Sequence, residues 1–217
     1  MGAEAGSSEL PKATRRIDPA EISARHRYHL MTSLVVPRPI GWLSTWSGDG
    51  VANLAPFSYF SAICVSPMLV GVSIGNRNDG YKDTLVNLRA RGAFCVNVVT
   101  EALMLPMNES SASVEWGVDE FELAGLARAE SDRVDAPFVA ACPAVLECTV
   151  RMEVDLGDIP NTLVIGEVIG VRLSEELTFE DDTLLVRPES LRPVGRLGGA
   201  AYGVIREVER VLRPDLR

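Results

Sequence analysis

The hydrophobic and polar positions along the chain fall into short strand-like runs separated by turn chemistry. Met68–Ile74 (MLVGVSI) and the AFCVNVVT run at 93–100 are continuous apolar segments of strand length, the pattern of strands covered on both faces. AVLECTVRMEVDLG at 144–157, TLVIGEVIGVRLS at 162–174 and the shorter TLLVRP at 183–188 predict three further strands. Ser47-Gly48-Asp49-Gly50 lies between two apolar runs and predicts a hairpin. The prolines of LVVPRPIGWLST, which follows from Leu34, read as strand-start or edge positions, because a proline cannot donate to a ladder.

Helical signals are fewer. Asp18 before Pro19, with Glu21 beyond, predicts a helix running through His29. Lys82-Asp83-Thr84 opens a second, TLVNLRARG, with Leu85, Leu88 and Ala90 as its apolar positions. Arg89 and Arg91 sit in its last turn and Gly92 provides its stop. Residues from about 101 to 126 read as short helices and loops, and GVIREVERVLRP predicts a short closing helix. Residues 1–16, small and polar, predict a flexible tail, and 17–217 a single domain. About six strands with helices inserted between them, and no strand–GxGxxG–helix unit, argue against a doubly wound sheet. The expected fold is mainly β, a closed antiparallel barrel with short helical insertions.

Composition narrows the function. The chain has 217 residues, 30 acidic and 21 basic, for a formal net charge of −9. That excess argues against a dedicated nucleic-acid binder, which needs a basic face. No apolar stretch approaches the ~18 residues of a membrane span, and MGAEAGSSELPKATRR has no apolar secretory core, so a cytoplasmic protein is expected. Cys64, Cys95, Cys142 and Cys148 form no CxxC pair and read as buried small hydrophobes; His26 and His29 read as surface residues, with no metal site expected. Glu147 and Glu167, within strands, are expected on a polar outward face. GxSxG is absent, so a hydrolase elbow has no support.

Uncharged polar groups concentrate instead between Ser44 and Ser61, where Ser44, Thr45, Asn53, Ser58 and Ser61 interleave with Pro56, Phe57, Tyr59 and Phe60. Hydroxyls and an amide beside aromatic rings suit a planar heteroaromatic ligand, polar at its edge and apolar on its face. A serine-rich connection between strands has the same composition. Arg77, Lys82 and Thr84 bracket a helix start, where unpaired N–H groups and the helix dipole favour a phosphate; a capped surface helix with solvated cations reads the same way. Arg196-Leu197-Gly198-Gly199 with Tyr202 adds a cation, a close backbone approach and one ring.

In their order, VVPRPIGWLST, NLAPFSYFSAI, KDTLVNL, VNVV, DEFELAGL, ECTV, IGEV and RLGGAAY closely resemble the flavin reductase-like family, from about Tyr28 to Tyr202. The departures, such as Trp46 and Ser47 in the hairpin, are conservative. The resemblance implies an FMN-binding split barrel of Greek-key type, acting as a homodimer with FMN near the subunit interface. It implies that Ser44 and Thr45 line the isoalloxazine or ribityl chain, that Asn53, Ala55, Pro56, Phe57 and Ser58 wall the ring, and that Ser61 lies near the ribityl-phosphate. Lys82, Asp83 and Thr84, with Arg77 as helper, match its phosphate side, and Arg196, Gly198, Gly199 and Tyr202 its C-terminal flavin contact. The implied activity is hydride transfer from NADH or NADPH to flavin N5, with electrons passed on, in one setting to a monooxygenase partner. A flavoredoxin-like carrier and an enzyme specialised for a biosynthetic oxidation remain open beside it.

Overall fold

The computed structural model describes residues 14–77, 80–157 and 161–214. In chain order it forms α1 (Ala24–Leu34), β1 (Arg38–Pro39), β2 (Gly41–Trp46), β3 (Ala52–Phe57), β4 (Phe60–Val65), β5 (Met68–Gly75), α2 (Asp83–Arg91) and β6 (Ala93–Val98). There follow α3 (Met104–Glu109), α4 (Glu120–Leu123), β7 (Arg128–Glu130), β8 (Pro137–Val139), β9 (Ala144–Leu156), β10 (Asn161–Leu173), α5 (Pro188–Leu191), β11 (Val194–Arg196) and β12 (Tyr202–Val204).

Seven strands pair antiparallel in the order β3-β2-β6-β9-β10-β5-β4. The two edge strands, β3 and β4, are consecutive in the chain and joined only by Ser58 and Tyr59, so the sheet must curl until its edges meet. The Ser73 amide donates to the Tyr59 carbonyl at 2.9 Å, which extends the β4–β5 ladder into the two-residue link between the edges. The result is a barrel left open along one seam. Leu43, Val72, Phe94, Val96 and Val164 fill it, with Leu85 and Leu88 of α2 packed against them. Each fully buried side chain of this kind contributes about 2 kcal/mol of hydrophobic stabilisation. A second apolar layer, Trp42, Leu54, Met107, Phe121 and Val139, lies on the outer face of β2 and β3 beneath α3 and α4. GWLSTW shows no in–out alternation because both faces of β2 are covered.

The hairpin, β5, α2 and β6 stand where local chemistry puts them. Ser47 N–H donates to the Val51 carbonyl at 2.9 Å to close the hairpin. Gly92 ends α2 at φ 66°, a left-handed position that costs glycine nothing.

Other expectations are corrected. The N-terminal helix does not start at Asp18: that residue caps a three-residue turn, Pro19–Glu21, Ile22 is extended, and Ser23 caps α1, which runs past His29 to Leu34. TLLVRP is no strand of the sheet; its one bridge joins Val186 to Phe179. GVIREVERVLRP forms no helix over its described residues. Tyr202–Val204 is recruited by β11, and the exposed stretch beyond is tied by Arg206 to Glu101 (2.6 Å) and Arg210 to Glu180 (2.8 Å). Twelve strands, rather than about six, occur among the described residues, because short pairs flank the main sheet. Cys64 is exposed on β4, whereas burial raises the Cys95 thiol to about 12 and Cys142 to about 11. Glu147 is buried rather than outward: Ser131 Oγ donates to it at 2.7 Å and Arg172 lies 3.7 Å away. Glu167 pairs with Arg151 at 3.5 Å. Residues 1–13 of the expected tail lie outside the described residues.

Candidate functional site

The chain leaves β5 at Gly75 and enters α2 at Asp83, which brings Arg77 and Lys82 to the start of that helix. Lys82 is the N-cap and its side chain caps nothing; its carbonyl accepts from the Leu85 and Val86 N–H groups at 2.9 and 3.2 Å, which leaves those of Asp83 and Thr84 without a partner among the described residues. A cavity opens there, walled by Asn53, Ala55 and Pro56 of β3, by Arg77 and Lys82–Thr84, and by the 110–114 loop, with Glu120 of α4 beneath. Arg77 reaches Asp83 Oδ1 at 3.2 Å and donates to the Val114 carbonyl at 3.1 Å. The Lys82 ammonium lies over the Phe57 ring, 5.4 Å from its centroid. Burial, then the Arg77 charge, hold Lys82 below the usual lysine range, with Asp83 opposing. Two crowded cations beside unpaired helix N–H groups form a site that an anion relieves.

The floor of this cavity is a buried polar network. Glu120 Oε1 and Oε2 accept from Asn53 Nδ2 at 3.2 and 3.0 Å, and Oε2 also accepts from the Leu54 N–H at 2.9 Å. With its nitrogen committed to a carboxylate, Asn53 presents Oδ1 to Thr84 Oγ1 (2.8 Å) and Thr45 Oγ1 (3.2 Å), and Thr45 accepts from Asn87 Nδ2 at 3.0 Å. Thr84 therefore donates its hydroxyl proton inward. Burial raises the Glu120 pKa, offset by the donors from Leu54 and Asn53.

A second cavity adjoins the first through Pro56 and Ser111 and is lined by Tyr28, Ser58, Asn108, Arg196 and Tyr202. Tyr202 O–H donates to Asn108 Oδ1 at 2.8 Å, and the Arg196 guanidinium lies 4.4 Å from the Tyr202 ring centroid. The two measure about 130 and 180 Å³, so neither alone reaches the roughly 300 Å³ at the low end of small-molecule sites; joined, they do. The cleft is cationic at one end and aromatic and amide-lined at the other, the polarity of a phosphorylated planar ligand such as FMN.

Of the residues expected at the site, Asn53, Ala55, Pro56, Ser58, Arg77, Lys82, Asp83, Thr84, Arg196 and Tyr202 line this cleft. Ser44 does not. Its hydroxyl is sealed inside, donating to the Pro137 carbonyl at 2.6 Å and accepting from Asn97 Nδ2 at 2.9 Å, since β2 is covered on both faces. Thr45 stands one layer behind Asn53, and Phe57 belongs to the barrel interior beneath Lys82. Ser61 is carried by β4 to a different, apolar groove with Met31, Val35 and Ile63. Gly198 and Gly199 shape the turn before Tyr202 rather than line the cleft; Arg196 Nη2 donates to the Gly199 carbonyl at 2.6 Å. Sequence reasoning missed Tyr28, Asn108, the 110–114 loop and Glu120. The Ser110-Ser111 pair and the acid within DEFELAGL were the available signals.

Comparison with known proteins identifies relatives of the chain. A protein of Aquifex aeolicus is 38% identical over 176 residues, 81% of this chain and 88% of that one. The nitrilotriacetate monooxygenase component B from Bacillus cereus is 31% identical, covers 93% of this chain and 100% of its own, and superposes with a TM-score of 0.87. The 2-nitrobenzoate 2-nitroreductase NbaA from Pseudomonas fluorescens is 28% identical over 93% of this chain and 97% of its own, with a TM-score of 0.84. The flavin reductase like domain matches residues 31–195, so with its split barrel and its two-ended cleft this chain belongs to the flavin reductase-like family.

Proposed function

We propose that the chain is an FMN-binding oxidoreductase that takes reducing equivalents from NADH or NADPH and delivers them to a downstream acceptor. The observation that carries this reading is the cleft with two crowded cations at one end and Pro56, Tyr202 and Asn108 at the other. Bound there, FMN would supply the redox chemistry, accepting hydride at N5 and releasing electrons afterwards.

The protein's own work is placement. Arg77 and Lys82, with the first N–H groups of α2, would hold the phosphate. Pro56 and Tyr202 would flank the ring, with Asn108 and Ser58 meeting its polar edge. The buried Glu120–Asn53 pair fixes the strand end from which Ala55 and Pro56 project. No side chain is needed as nucleophile or general acid, which fits a cleft lined by hydroxyls, amides and cations. The nitroreductase among the relatives supports delivery to an organic acceptor, and the monooxygenase component supports delivery to a partner enzyme.

A homodimer is part of the proposal. The groove of Met31, Val35, Ile63 and Leu163, with exposed Val65 and Met68 on the β4–β5 edge, is an apolar surface suited to a second copy. The test is direct: purified protein is titrated with FMN, FAD and riboflavin, and NADH and NADPH oxidation is followed with FMN present. Tight FMN binding with turnover of either nicotinamide supports the reading. Bound FMN without turnover of either would replace it with an electron carrier. Sedimentation at the monomer mass alone would remove the dimer.

A further inference from the structure

Arg38 is only 6% exposed, yet its partners are all neutral. Nη1 donates to the Thr32 carbonyl at 2.7 Å and the Val35 carbonyl at 3.0 Å, at the C-terminal end of α1. Nη2 donates to the Leu197 carbonyl at 3.1 Å, and Nε makes a longer contact to Ser58 Oγ at 3.4 Å. No carboxylate pairs with it among the described residues. Its guanidinium carries a full positive charge. The helix C-terminus offsets it by roughly half an elementary charge, which leaves about as much unanswered in a place shielded from water.

Arg38 itself lines the outer apolar groove with Val35 and Ser58, and it reaches the wider cavity through Ser58 and the segments it joins. α1 brings Tyr28, the end of β3 leads to Ser58, and the turn between β11 and β12 is flanked by Arg196 and Tyr202. Sequence separates Thr32 from Leu197 by most of the chain; one planar fork holds both. The approach is close elsewhere too: a Cβ on Gly195 would lie 2.8 Å from Pro37 Cβ.

We infer that Arg38 is a positioning residue that both sets the spacing of the ring-end walls and supplies positive potential favouring the reduced, negatively charged form of the bound flavin. The inference rests on the flavin reading above. Its electrostatic half separates it from a plain structural role: loss of the charge weakens the reduced ligand more than the oxidised one, whereas loss of geometry weakens both alike.

The experiment measures dissociation constants of the full chain for oxidised FMN and, anaerobically, for reduced FMN, in wild type, Arg38→Met, Arg38→Lys and Gly195→Ala. For Arg38→Met the ratio of oxidised to reduced constants is expected to fall about tenfold, equivalent to a two-electron potential lower by about 30 mV. Arg38→Lys keeps the charge but cannot span three acceptors. It is expected to weaken both forms with the ratio held within about twofold, and Gly195→Ala, which spreads the walls with Arg38 intact, to do the same. An Arg38→Met ratio equal to wild type, with wild type binding normally, overturns the role of Arg38 and leaves the flavin reading standing. Wild type binding neither form overturns both. If Arg38→Met fails to fold, Arg38→Gln takes its place; failure of both to fold assigns Arg38 to stability alone and overturns the inference.

Discussion

The two ends of the cleft are built in opposite ways. At the cationic end, Arg77, Lys82, Asp83 and Thr84 lie within eight residues of chain and are delivered by one strand-to-helix connection. At the ring end, Tyr28, Ser58, Asn108 and Tyr202 come from four remote segments, and their spacing depends on long-range contacts such as those of Arg38 and the Tyr202–Asn108 bond. The first end is local and electrostatic, the second assembled and steric. On the proposed function, ligands should feel this division: phosphate recognition should survive disturbance of the tertiary structure around the ring, and ring recognition should not depend on the cations.

The most severe way to break the comparison is to remove the network shared by both. Asn53→Ala leaves Glu120 buried with backbone N–H donors but without its side-chain donor, and stability should fall by about 3 kcal/mol in thermal or denaturant unfolding. Because burial raises the Glu120 pKa, the folded state holds that proton more tightly than the unfolded chain. The contribution is therefore fully present below the ordinary carboxylate value and is lost as pH rises through the raised one. The deficit of Asn53→Ala should accordingly shrink in acid, where the carboxyl is neutral, and a deficit independent of pH would remove Glu120 from the explanation.

Next in size, Lys82→Ala should weaken FMN by about 10- to 100-fold, the loss of one charge-assisted contact of about 1.5–3 kcal/mol. Riboflavin, which lacks the phosphate, should bind the variant as it binds wild type, and turnover at saturating FMN should change little. Equal FMN affinity in the two proteins would take Lys82 out of the cationic end. In the wild type, FMN affinity should decline as pH rises through the lowered Lys82 pKa, before an ordinary lysine would discharge, and calorimetric titration across alkaline pH reads this. The smallest effect is expected from Tyr202→Phe, which deletes the 2.8 Å bond to Asn108. A loss of about 1 kcal/mol, or roughly fivefold, should fall equally on FMN and riboflavin. Unequal losses would mean that the ring end also senses the phosphate.

The same division explains what the sequence disclosed. The hairpin at Ser47–Gly50, α2 with its Gly92 stop, and the cations ahead of α2 are written in neighbouring residues, and they were legible. Ser44 misled because a hydroxyl in a polar-looking run gives no sign that β8 will cover it; only the Pro137 and Asn97 contacts reveal that. Glu147 misled for a related reason, since its partners Ser131 and Arg172 arrive from elsewhere in the chain. GVIREVERVLRP carries a helical pattern, but pairing with β11 claims its start, and Arg206 and Arg210 in the remainder pair with Glu101 and Glu180 elsewhere in the chain. Tertiary pairing overrode local preference in each case.

Ser58 is lined by the ligand cleft on one side and by the apolar groove on the other. If the flavin proposed above occupies that cleft, one seryl residue is shared between the coenzyme's compartment and the outside of the barrel. On that reading a molecule seated in the outer groove would lie against a residue that also faces the redox centre, and assembly and electron delivery would share a partition instead of communicating across the breadth of the protein.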